Sequence, residues 1–434
     1  MTTADPRKKA QKKRILFLGE GVTLAHVVRP YVLAQCLDRE LFDVHFCCAE
    51  RYRPLIDETR CTYHKVHSTS PEEFLEILAK GAELFPEDTV RTRTEEDLGL
   101  LERLSPDAVV GDMRLSLGVS ATVKRIPYVS LTNAYWSPFA ERNRFPLPSF
   151  EPIRTLGLHR LKGGVGVRAA EGLFHMLLPL VMKRQARGLD QVRREYGLPP
   201  FENYLTGFTW GDITCFSDTP GIAPVEKLLP SHRYLGSVSW TPECGLPSWW
   251  SNLSDSKPII YLSLGSSGPL EVLPTLFEAL RSLDCQVVLA TAGRIASDQI
   301  PSGFRHAEYL PGEALAQRAD VVISNGGSPS TYQALAQGKP VLGIASNMDQ
   351  LLCMTNVHRC GAGILCRADN SSAEDFKTAL TALLRSTRHR DLAKEIAKEL
   401  EEYRPEKIFP SILNEVTGAE PRGQVTNNRR AAHG

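Results

Sequence analysis

The sequence predicts an α/β protein with two doubly wound parallel sheets that face each other across a central cleft. Both halves of the chain open with a short apolar run that ends in glycine, residues 14–19 (RILFLG) and residues 258–265 (PIIYLSLG). Short runs bounded by Gly or Pro are typical of strands buried in a parallel sheet. In each half a helical pattern follows, and strands and helices then alternate. This alternation indicates right-handed βαβ crossovers.

The remaining elements follow in the order that such sheets require. In the first half, the helical run HVVRPYVLAQCL is followed by the predicted strands FDVHFCC, DAVVGD and PYVSLTN. In the second half, the helical run LEVLPTLFEALRSL is followed by the predicted strands CQVVLATAG, DVVISNGG and PVLGIA. Two such sheets in one chain leave a cleft between them, which is a common place for a ligand.

Composition excludes several classes of protein. The 434 residues carry 51 Lys and Arg against 50 Asp and Glu, a net charge of +1, which argues against a nucleic-acid partner. No run reaches the roughly 18 apolar residues that favour a transmembrane segment, and residues 173–182 (LFHMLLPLVM) are predicted to be a buried or interfacial helix. None of the ten cysteines forms a CxxC pair, so we expect reduced thiols and a cytoplasmic location. His64 and His67 lack other metal-ligand types nearby and are interpreted as surface strand residues.

The chain divides at changes in composition. Residues 236–257 are rich in Pro, Gly, Ser and Trp without any period, as a linker would be. The ends of the chain are polar or basic, which favours mobile tails, and a contact of the basic arm with lipid headgroups stays open. The predicted segments are a basic flexible arm (1–14), an N-terminal α/β domain (15–235), the linker (236–257), a C-terminal α/β domain with a terminal helix (258–417) and a disordered tail (418–434).

The most informative segment is residues 321–350. It contains a strand (VVIS), a turn formed by Asn325, Gly326 and Gly327, and a helix that opens at Ser328. A glycine turn that leads into a helix N-terminus presents backbone N–H groups and the positive end of the helix dipole, which together suit a phosphate. An ordinary βα turn, which also favours Gly and Ser, is the alternative.

The spacing of the whole segment resembles the donor-binding signature of the family 1 nucleotide-sugar glycosyltransferases, which have the two-domain GT-B fold. That signature reads roughly HGGxxTxxEALxxGVPxxxxPxxxDQ. The matching positions in this chain are Asn325, Gly326, Gly327, Ser330, Thr331, Gln333, Ala334, Leu335, Gly338, Pro340, Asp349 and Gln350.

The resemblance implies that residues 15–235 form an acceptor-binding Rossmann-like domain and residues 258–417 a nucleotide-sugar-binding Rossmann-like domain. It also implies a role for each of the matching positions. The glycine turn, with Ser330 and Thr331, would hold the diphosphate of the donor, and Gln333 would face the ribose hydroxyls. Asp349 and Gln350 would bind the transferred sugar, because a carboxylate accepts from two hydroxyls while an amide both donates and accepts.

Two shorter matches and some departures accompany the signature. Gly265 and Ser266 resemble the family's Gly-Ser loop at the cleft, and Tyr309 resembles the aromatic residue that stacks on the nucleotide base. The family's His and Glu are Asn325 and Gln333 here. The usual later Pro is Ala345, and Gly312 replaces a polar residue after the aromatic element.

In the first half, His26 lies at the start of the first helix, where the resemblance places the catalytic base. A sugar acceptor hydroxyl is a weak nucleophile, and an imidazole can take its proton near neutral pH. Asp112, at the end of a predicted strand, is the best candidate to orient His26, because carboxyl ends of strands border the crevice in such sheets. Asp107 precedes that strand and is interpreted as a turn or cap residue.

Acceptor contacts are predicted on the first domain. Asn133, Tyr135 and Trp136 follow another strand, and residues 173–182 are also candidates. Ordinary core packing is an equally supported interpretation for each of them.

The resemblance implies an inverting, metal-independent glycosyltransferase (a hexosyltransferase) with a UDP- or dTDP-sugar as co-substrate and no other cofactor. We expect a small-molecule acceptor, such as a secondary metabolite, or else a lipid at a membrane surface, and a monomer or homodimer. Asn325 and Gln333 motivate an alternative, a non-catalytic nucleotide-sugar-binding or auxiliary protein. A sugar-nucleotide epimerase is less favoured, because a DQ-type motif and a single His on the acceptor side fit transfer better.

Overall fold

Two parallel sheets organise the part of the chain that the computed structural model describes, residues 12–141, 145–161, 163–241 and 244–418. The first sheet has the strand order β3-β2-β1-β4-β5-β6-β7. Its strands are β1 (Lys13–Gly19), β2 (Phe42–Cys48), β3 (Thr62–Lys65), β4 (Ala108–Asp112), β5 (Tyr128–Thr132), β6 (Ile213–Phe216) and β7 (His232–Tyr234).

The second sheet has the order β10-β9-β8-β11-β12-β13. Its strands are β8 (Ile259–Ser263), β9 (Gln286–Ala290), β10 (Arg305–Ala307), β11 (Val321–Ser324), β12 (Val341–Ala345) and β13 (Gly363–Arg367). The paired strands run parallel in both sheets, as long crossover connections require. The prediction of two doubly wound parallel sheets is confirmed.

Helices cover both sheets because their apolar faces pack on strands that are buried on two sides. Those of the first half are α1 (Ala25–Gln35), α2 (Pro71–Lys80), α3 (Glu87–Leu104), α4 (Leu117–Lys124), α5 (Glu151–Thr155), α6 (Gly164–Glu195) and α7 (Tyr204–Phe208). Those of the second half are α8 (Leu273–Arg281), α9 (Gly312–Arg318), α10 (Ser328–Ala336), α11 (Met348–Arg359), α12 (Ala373–Arg385), α13 (Thr387–Glu402) and α14 (Pro405–Thr417).

Near both ends of the chain, the structure differs from the predicted segment bounds. Helix α14 crosses back to the first sheet, where Phe409 is fully buried and its ring centroid lies 6.0 Å from that of Phe17. The terminal helix that the sequence analysis grouped with the second domain therefore packs in the core of the first. Residues 1–11 of the predicted arm and residues 419–434 of the predicted tail lie outside the described residues, whereas Lys13 and Arg14 belong to β1.

Among the described residues, one helix, α6, is long and apolar enough to cross a membrane by length and composition only, and 11% of its most apolar 18 residues is buried. No such segment was expected, because the sequence contains no uninterrupted run of about 18 apolar residues.

Each sheet has one topological switch point, where consecutive crossovers leave in opposite directions. In the first sheet it lies between β1 and β4, and in the second between β8 and β11. In open α/β sheets, ligands bind outside the carboxyl ends of the strands at such a point. The order of the strands therefore selects the residues after β1, β4, β8 and β11 as a candidate site.

Candidate active site

A cavity of about 390 Å³ lies between the two sheets and is bordered by residues from both halves. This volume is in the range of small-molecule sites. Its first wall includes His26, Arg29 and Asp112, and its second wall includes Asn325, Gly327 and Ser330. The predicted donor residues Gly265, Ser266, Tyr309, Gln333, Asp349 and Gln350 also border it.

Close packing of α1 on β1 places His26 at the end of the sheet. A Cβ atom on Gly19 would lie 2.8 Å from the His26 carbonyl oxygen, so a glycine is needed at this position. Pro30 has no N–H to donate to that same carbonyl, four residues earlier in α1. The two residues together let the start of α1 approach the end of β1.

His26, Asp112 and Arg29 form a compact group on this wall. The His26 Nδ1 atom lies 2.8 Å from Oδ1 of Asp112. Arg29 donates to both carboxylate oxygens of Asp112, from Nε to Oδ2 at 2.7 Å and from Nη2 to Oδ1 at 2.9 Å. Since Nδ1 faces the carboxylate, Nε2 is the ring nitrogen left for a substrate in the cavity.

The electrostatics of this group keep the carboxylate ionised. Burial alone would raise the pKa of Asp112, but the charges of Arg29 and His26 and their hydrogen bonds outweigh it and hold the pKa below its usual value. An ionised Asp112 favours the tautomer of His26 that carries its proton on Nδ1. Nη2 of Arg29 also lies 3.0 Å from Nδ1, because both nitrogens donate to the same oxygen, Oδ1 of Asp112.

Arg29 is the main residue of the site that the sequence analysis did not identify. It is buried, and its Nη1 atom also donates to Oδ1 of Asn133 at 2.6 Å. A signal was available, since Arg29 follows His26 by three residues in an otherwise apolar helix. Residues three apart share one face of a helix, so Arg29 lies beside His26. A positive charge at that position needs a negatively charged partner beside it.

The opposite wall is formed by the glycine turn and the start of α10. Gly326 has a φ of +79°, a backbone conformation that favours glycine, and a Cβ atom there would lie 2.8 Å from Cγ of Met354. Helix α10 begins after Gly327 without a side-chain cap. Pro329 has no N–H, so the backbone donors of the first turn that are available to an anion are those of Ser328 and Ser330.

The residues predicted to hold the diphosphate do not all reach the cavity. Ser330 and Gly327 border it, whereas Gly326 and Thr331 do not. The Thr331 hydroxyl is buried and lies 3.0 Å from the Ser324 hydroxyl, which ties α10 to β11. Asn325 accepts from the Gly327 N–H at 3.0 Å and donates to the Ser267 hydroxyl at 3.3 Å, so its amide fixes the turn and the neighbouring loop.

Asp349 and Gln350 lie in the first turn of α11. The Asp349 Oδ1 atom accepts from Nε1 of Trp136 at 2.8 Å and from the Tyr135 hydroxyl at 3.3 Å. The Gln350 Oε1 atom accepts from the backbone N–H of Ser346 at 2.8 Å. Trp136, predicted as an acceptor contact, therefore crosses the cleft to a predicted donor residue. Tyr135, also predicted as an acceptor contact, is buried and does not border the cavity.

A second contact between the halves involves Asn133. Its amide donates to Oδ1 of Asp218 at 2.9 Å, and the Tyr332 hydroxyl of α10 donates to the same oxygen at 2.6 Å. Burial raises the pKa of Asp218 to about 6 against the opposing effect of these hydrogen bonds. Asn133 borders the cavity, but both ends of its amide are already engaged by Arg29 and Asp218.

The predicted linker also contributes to the site. Trp240 and Thr241 border the cavity, and Thr241 accepts from Nε2 of Gln333 at 2.7 Å. Gln333 stands at the position where the family has Glu, and its amide is already engaged by Thr241. Local composition gave no sign of this contact because Thr241 and Gln333 are 92 residues apart.

The two remaining histidine candidates lie away from the cleft. The Nε2 atom of His64 lies 2.8 Å from Nδ1 of His45, and His67 pairs with Glu96. Within the described ranges, no group of three or more His, Cys, Asp or Glu side chains is arranged to hold a metal ion.

Comparison with known proteins gives consistent matches. Residues 274–414 match the family described as the erythromycin biosynthesis protein CIII-like C-terminal domain. A PGL/p-HBAD biosynthesis glycosyltransferase of Mycobacterium tuberculosis (strain ATCC 25177 / H37Ra) is 42% identical over 396 residues, which cover 91% of this chain and 90% of that protein. A PGL/p-HBAD biosynthesis rhamnosyltransferase of Mycobacterium bovis (strain BCG / Pasteur 1173P2) is 41% identical over 399 residues, 91% of this chain and 86% of the relative.

Among solved structures, the spinosyn rhamnosyltransferase SpnG complexed with thymidine diphosphate superposes with a TM-score of 0.65 at 17% identity. The match covers 93% of this chain and all of that one. At this identity the similarity establishes the fold, and the fold is that of the GT-B glycosyltransferases.

Proposed function

The chain belongs to the PGL/p-HBAD biosynthesis glycosyltransferases and has the GT-B fold, and from this membership we propose that it is an inverting enzyme with His26 as general base. It would move a sugar from a UDP- or dTDP-sugar to an acceptor hydroxyl. The observation that carries the proposal is the imidazole of His26, held by Asp112 on one wall of a cavity whose other wall is the uncapped start of α10.

In the proposed reaction, Nδ1 of His26 donates to Asp112 while Nε2 takes the proton of the acceptor hydroxyl. The acceptor oxygen forms a bond to the anomeric carbon as the bond from that carbon to the diphosphate oxygen breaks on the opposite side, which inverts the configuration. The negative charge that builds up on the diphosphate is met by the backbone N–H groups at the start of α10. Asp112 stabilises the imidazolium without taking the proton itself.

The residues that border the cavity suggest which sugar and which acceptor it binds. Asp349, positioned by Trp136, supports binding of the transferred sugar, and the relative named as a rhamnosyltransferase favours a deoxyhexose. Phe74, Leu78 and Phe208 border the cavity on the first domain and support an acceptor with an apolar body, either a small molecule or a lipid. A cytoplasmic location and the absence of a resident cofactor remain parts of this proposal.

The test separates donor binding from transfer. Nucleotide sugars are screened for an increase in the thermal unfolding temperature of the wild type and of His26→Ala, and both are then assayed for transfer to a panel of acceptors. We expect equal stabilisation by the donor and a loss of transfer of about a hundredfold to ten-thousandfold in His26→Ala. His306→Ala, on the edge strand β10, is the matched control. Transfer by His26→Ala near the wild-type rate contradicts the assignment of the base.

The second candidate function is a protein that binds a nucleotide sugar without turnover. It is favoured by Asn325 and Gln333, which stand where the family has His and Glu. The amide of Asn325 is engaged by Gly327 and Ser267, and that of Gln333 donates to Thr241. Stabilisation by a nucleotide sugar without transfer or hydrolysis, across the same acceptor panel, supports this candidate.

A further inference from the structure

Helix α6 exposes a continuous apolar stripe. Leu173, Met176, Leu177 and Leu180 are between 43% and 69% exposed, and together they form what we call the α6 outer face. Their spacing of three, four and seven residues places them on one side of the helix. Single exposed leucines are common on protein surfaces, but a contiguous stripe of this kind indicates an interaction surface.

The opposite side of α6 is firmly attached to the protein. Phe174 and Leu178 are buried in the core, and the His175 ring nitrogen Nε2 lies 2.6 Å from the Phe145 carbonyl oxygen. Further along the helix, Leu189 and Val192 are also buried. Because one side is packed against the fold over most of its length, the helix can lie along a partner surface with its outer face only.

The charges beside the α6 outer face are positive. Arg168 precedes it, and Lys183, Arg184 and Arg187 follow it, all with exposed side chains. Between residues 164 and 187 the chain carries these four basic residues and a single acidic residue, Glu171. An exposed apolar stripe with Lys and Arg at its ends is the pattern of a helix that lies in the interface of a membrane with anionic lipids.

The charge pattern also decides between partners. A second copy of this chain, seated face to face on the same stripe, would place its own basic residues near those of the first, and like charges across an interface are unfavourable. Anionic headgroups complement them instead. We propose that the α6 outer face docks the protein on the surface of a bilayer that contains anionic lipids, independently of whether His26 is a catalytic base.

Helix α6 is linked to the wall of the cavity through Phe145. The Phe145 ring centroid lies 6.2 Å from that of Trp136, which borders the cavity. Since His175 of α6 contacts the Phe145 carbonyl oxygen, docking on the α6 outer face would turn this side of the first domain toward the lipid surface.

The test is cosedimentation of the full chain with vesicles of phosphatidylcholine alone and of an equimolar mixture with phosphatidylglycerol. We expect the wild type to bind the anionic vesicles and the triple variant Leu173→Ser, Met176→Ser, Leu180→Ser to bind at least tenfold more weakly. Leu228→Ser with Leu246→Ser is the matched control, because these leucines are similarly exposed, at 52% and 57%, outside α6. The control should bind as the wild type does.

Charge is tested separately. Lys183→Gln, Arg184→Gln and Arg187→Gln should each weaken binding to anionic vesicles about fivefold, and added salt should weaken it in the wild type. Hydrogen exchange of the wild type with and without anionic vesicles needs no variant, and protection should centre on residues 164–187. A wild type that binds neither vesicle, a triple variant that binds as the wild type does, or a dimer that the triple variant dissolves without any vesicle binding would overturn the proposal.

Discussion

Asp112→Asn is expected to damage both the fold and the proposed reaction, for two reasons that can be separated. In the wild type the buried carboxylate accepts two hydrogen bonds from buried Arg29 and faces Nδ1 of His26 at 2.8 Å. The amide removes the charge that compensates Arg29 and puts an N–H where an acceptor is needed. The first effect acts on stability, and the second acts on the orientation and tautomer of His26.

The magnitude follows from the burial of the pair, since both side chains are at most 4% exposed. Removing one partner of a buried ion pair costs about 3–5 kcal/mol of unfolding free energy. Loss of a correctly held general base lowers kcat by about a hundredfold to ten-thousandfold. The two losses should appear together in the single variant.

The double variant Arg29→Gln, Asp112→Asn separates them. It removes the uncompensated charge and keeps an amide that can donate to Asn133, so we expect it to regain most of the lost stability. Transfer should stay low, because the carboxylate that orients His26 is still missing. Urea unfolding measures the first quantity, and transfer to an acceptor at saturating donor measures the second.

Two results would refute this reasoning. One is a double variant whose transfer rate recovers together with its stability, which would make Asp112 a purely structural residue. The other is a folded Asp112→Asn enzyme that works within tenfold of the wild type, which would remove the carboxylate from the mechanism.

Three further predictions concern the donor side and the contact between the halves. The pKa of Asp218 is raised to about 6, so ionisation opposes folding, and the free energy of unfolding should fall by about 2 kcal/mol as pH rises from 4 to 6. Urea unfolding of the wild type should show this slope relative to Asp218→Asn, and parallel curves for the two proteins contradict it. Gly326→Ala should lower the free energy of unfolding by about 1–2 kcal/mol, because φ is +79° at this position and Met354 blocks the added methyl group. The control Gly327→Ala, at a position with φ −71°, should be tolerated, and equal losses of stability in the two variants would exclude this explanation. If the ring of Tyr309 stacks on the nucleotide base, Tyr309→Ala should raise the KM for the donor about fivefold to a hundredfold with kcat unchanged. Tyr309→Phe should keep the wild-type KM, and an unchanged KM in the alanine variant would reject stacking.

Much of the fold was predictable because its signals are local. Strands β1, β4, β8 and β11 are short apolar runs bounded by turn residues, and such runs are buried in a parallel sheet whatever lies beyond them. Helix α10 was predictable from a glycine turn followed by Ser-Pro-Ser, which is a local helix start. Parts of the site followed from these elements, since residues just after strands meet at the carboxyl edge of a sheet.

Other contacts of the site have no local signal. Trp136 and Asp349 are 213 residues apart, and Asp218 and Tyr332 are 114 apart, yet each pair joins the two walls of the cleft. The amphipathic pattern of α6 likewise does not reveal which side is covered, because both sides carry leucines. Only the packing of Phe174 into the core leaves Leu173 outside.

The sequence by itself determined which residue types stand at the ends of which strands, and with that the fold, the glycine turn and the position of His26. The tertiary structure decided how those residues are engaged. It gave Asp112 a second cationic partner in Arg29, turned the Thr331 hydroxyl into the core and joined Trp136 to Asp349. The physical reason is that backbone geometry propagates over a few residues, whereas hydrogen bonds and ion pairs depend on which distant side chains the strand order brings within about 3 Å.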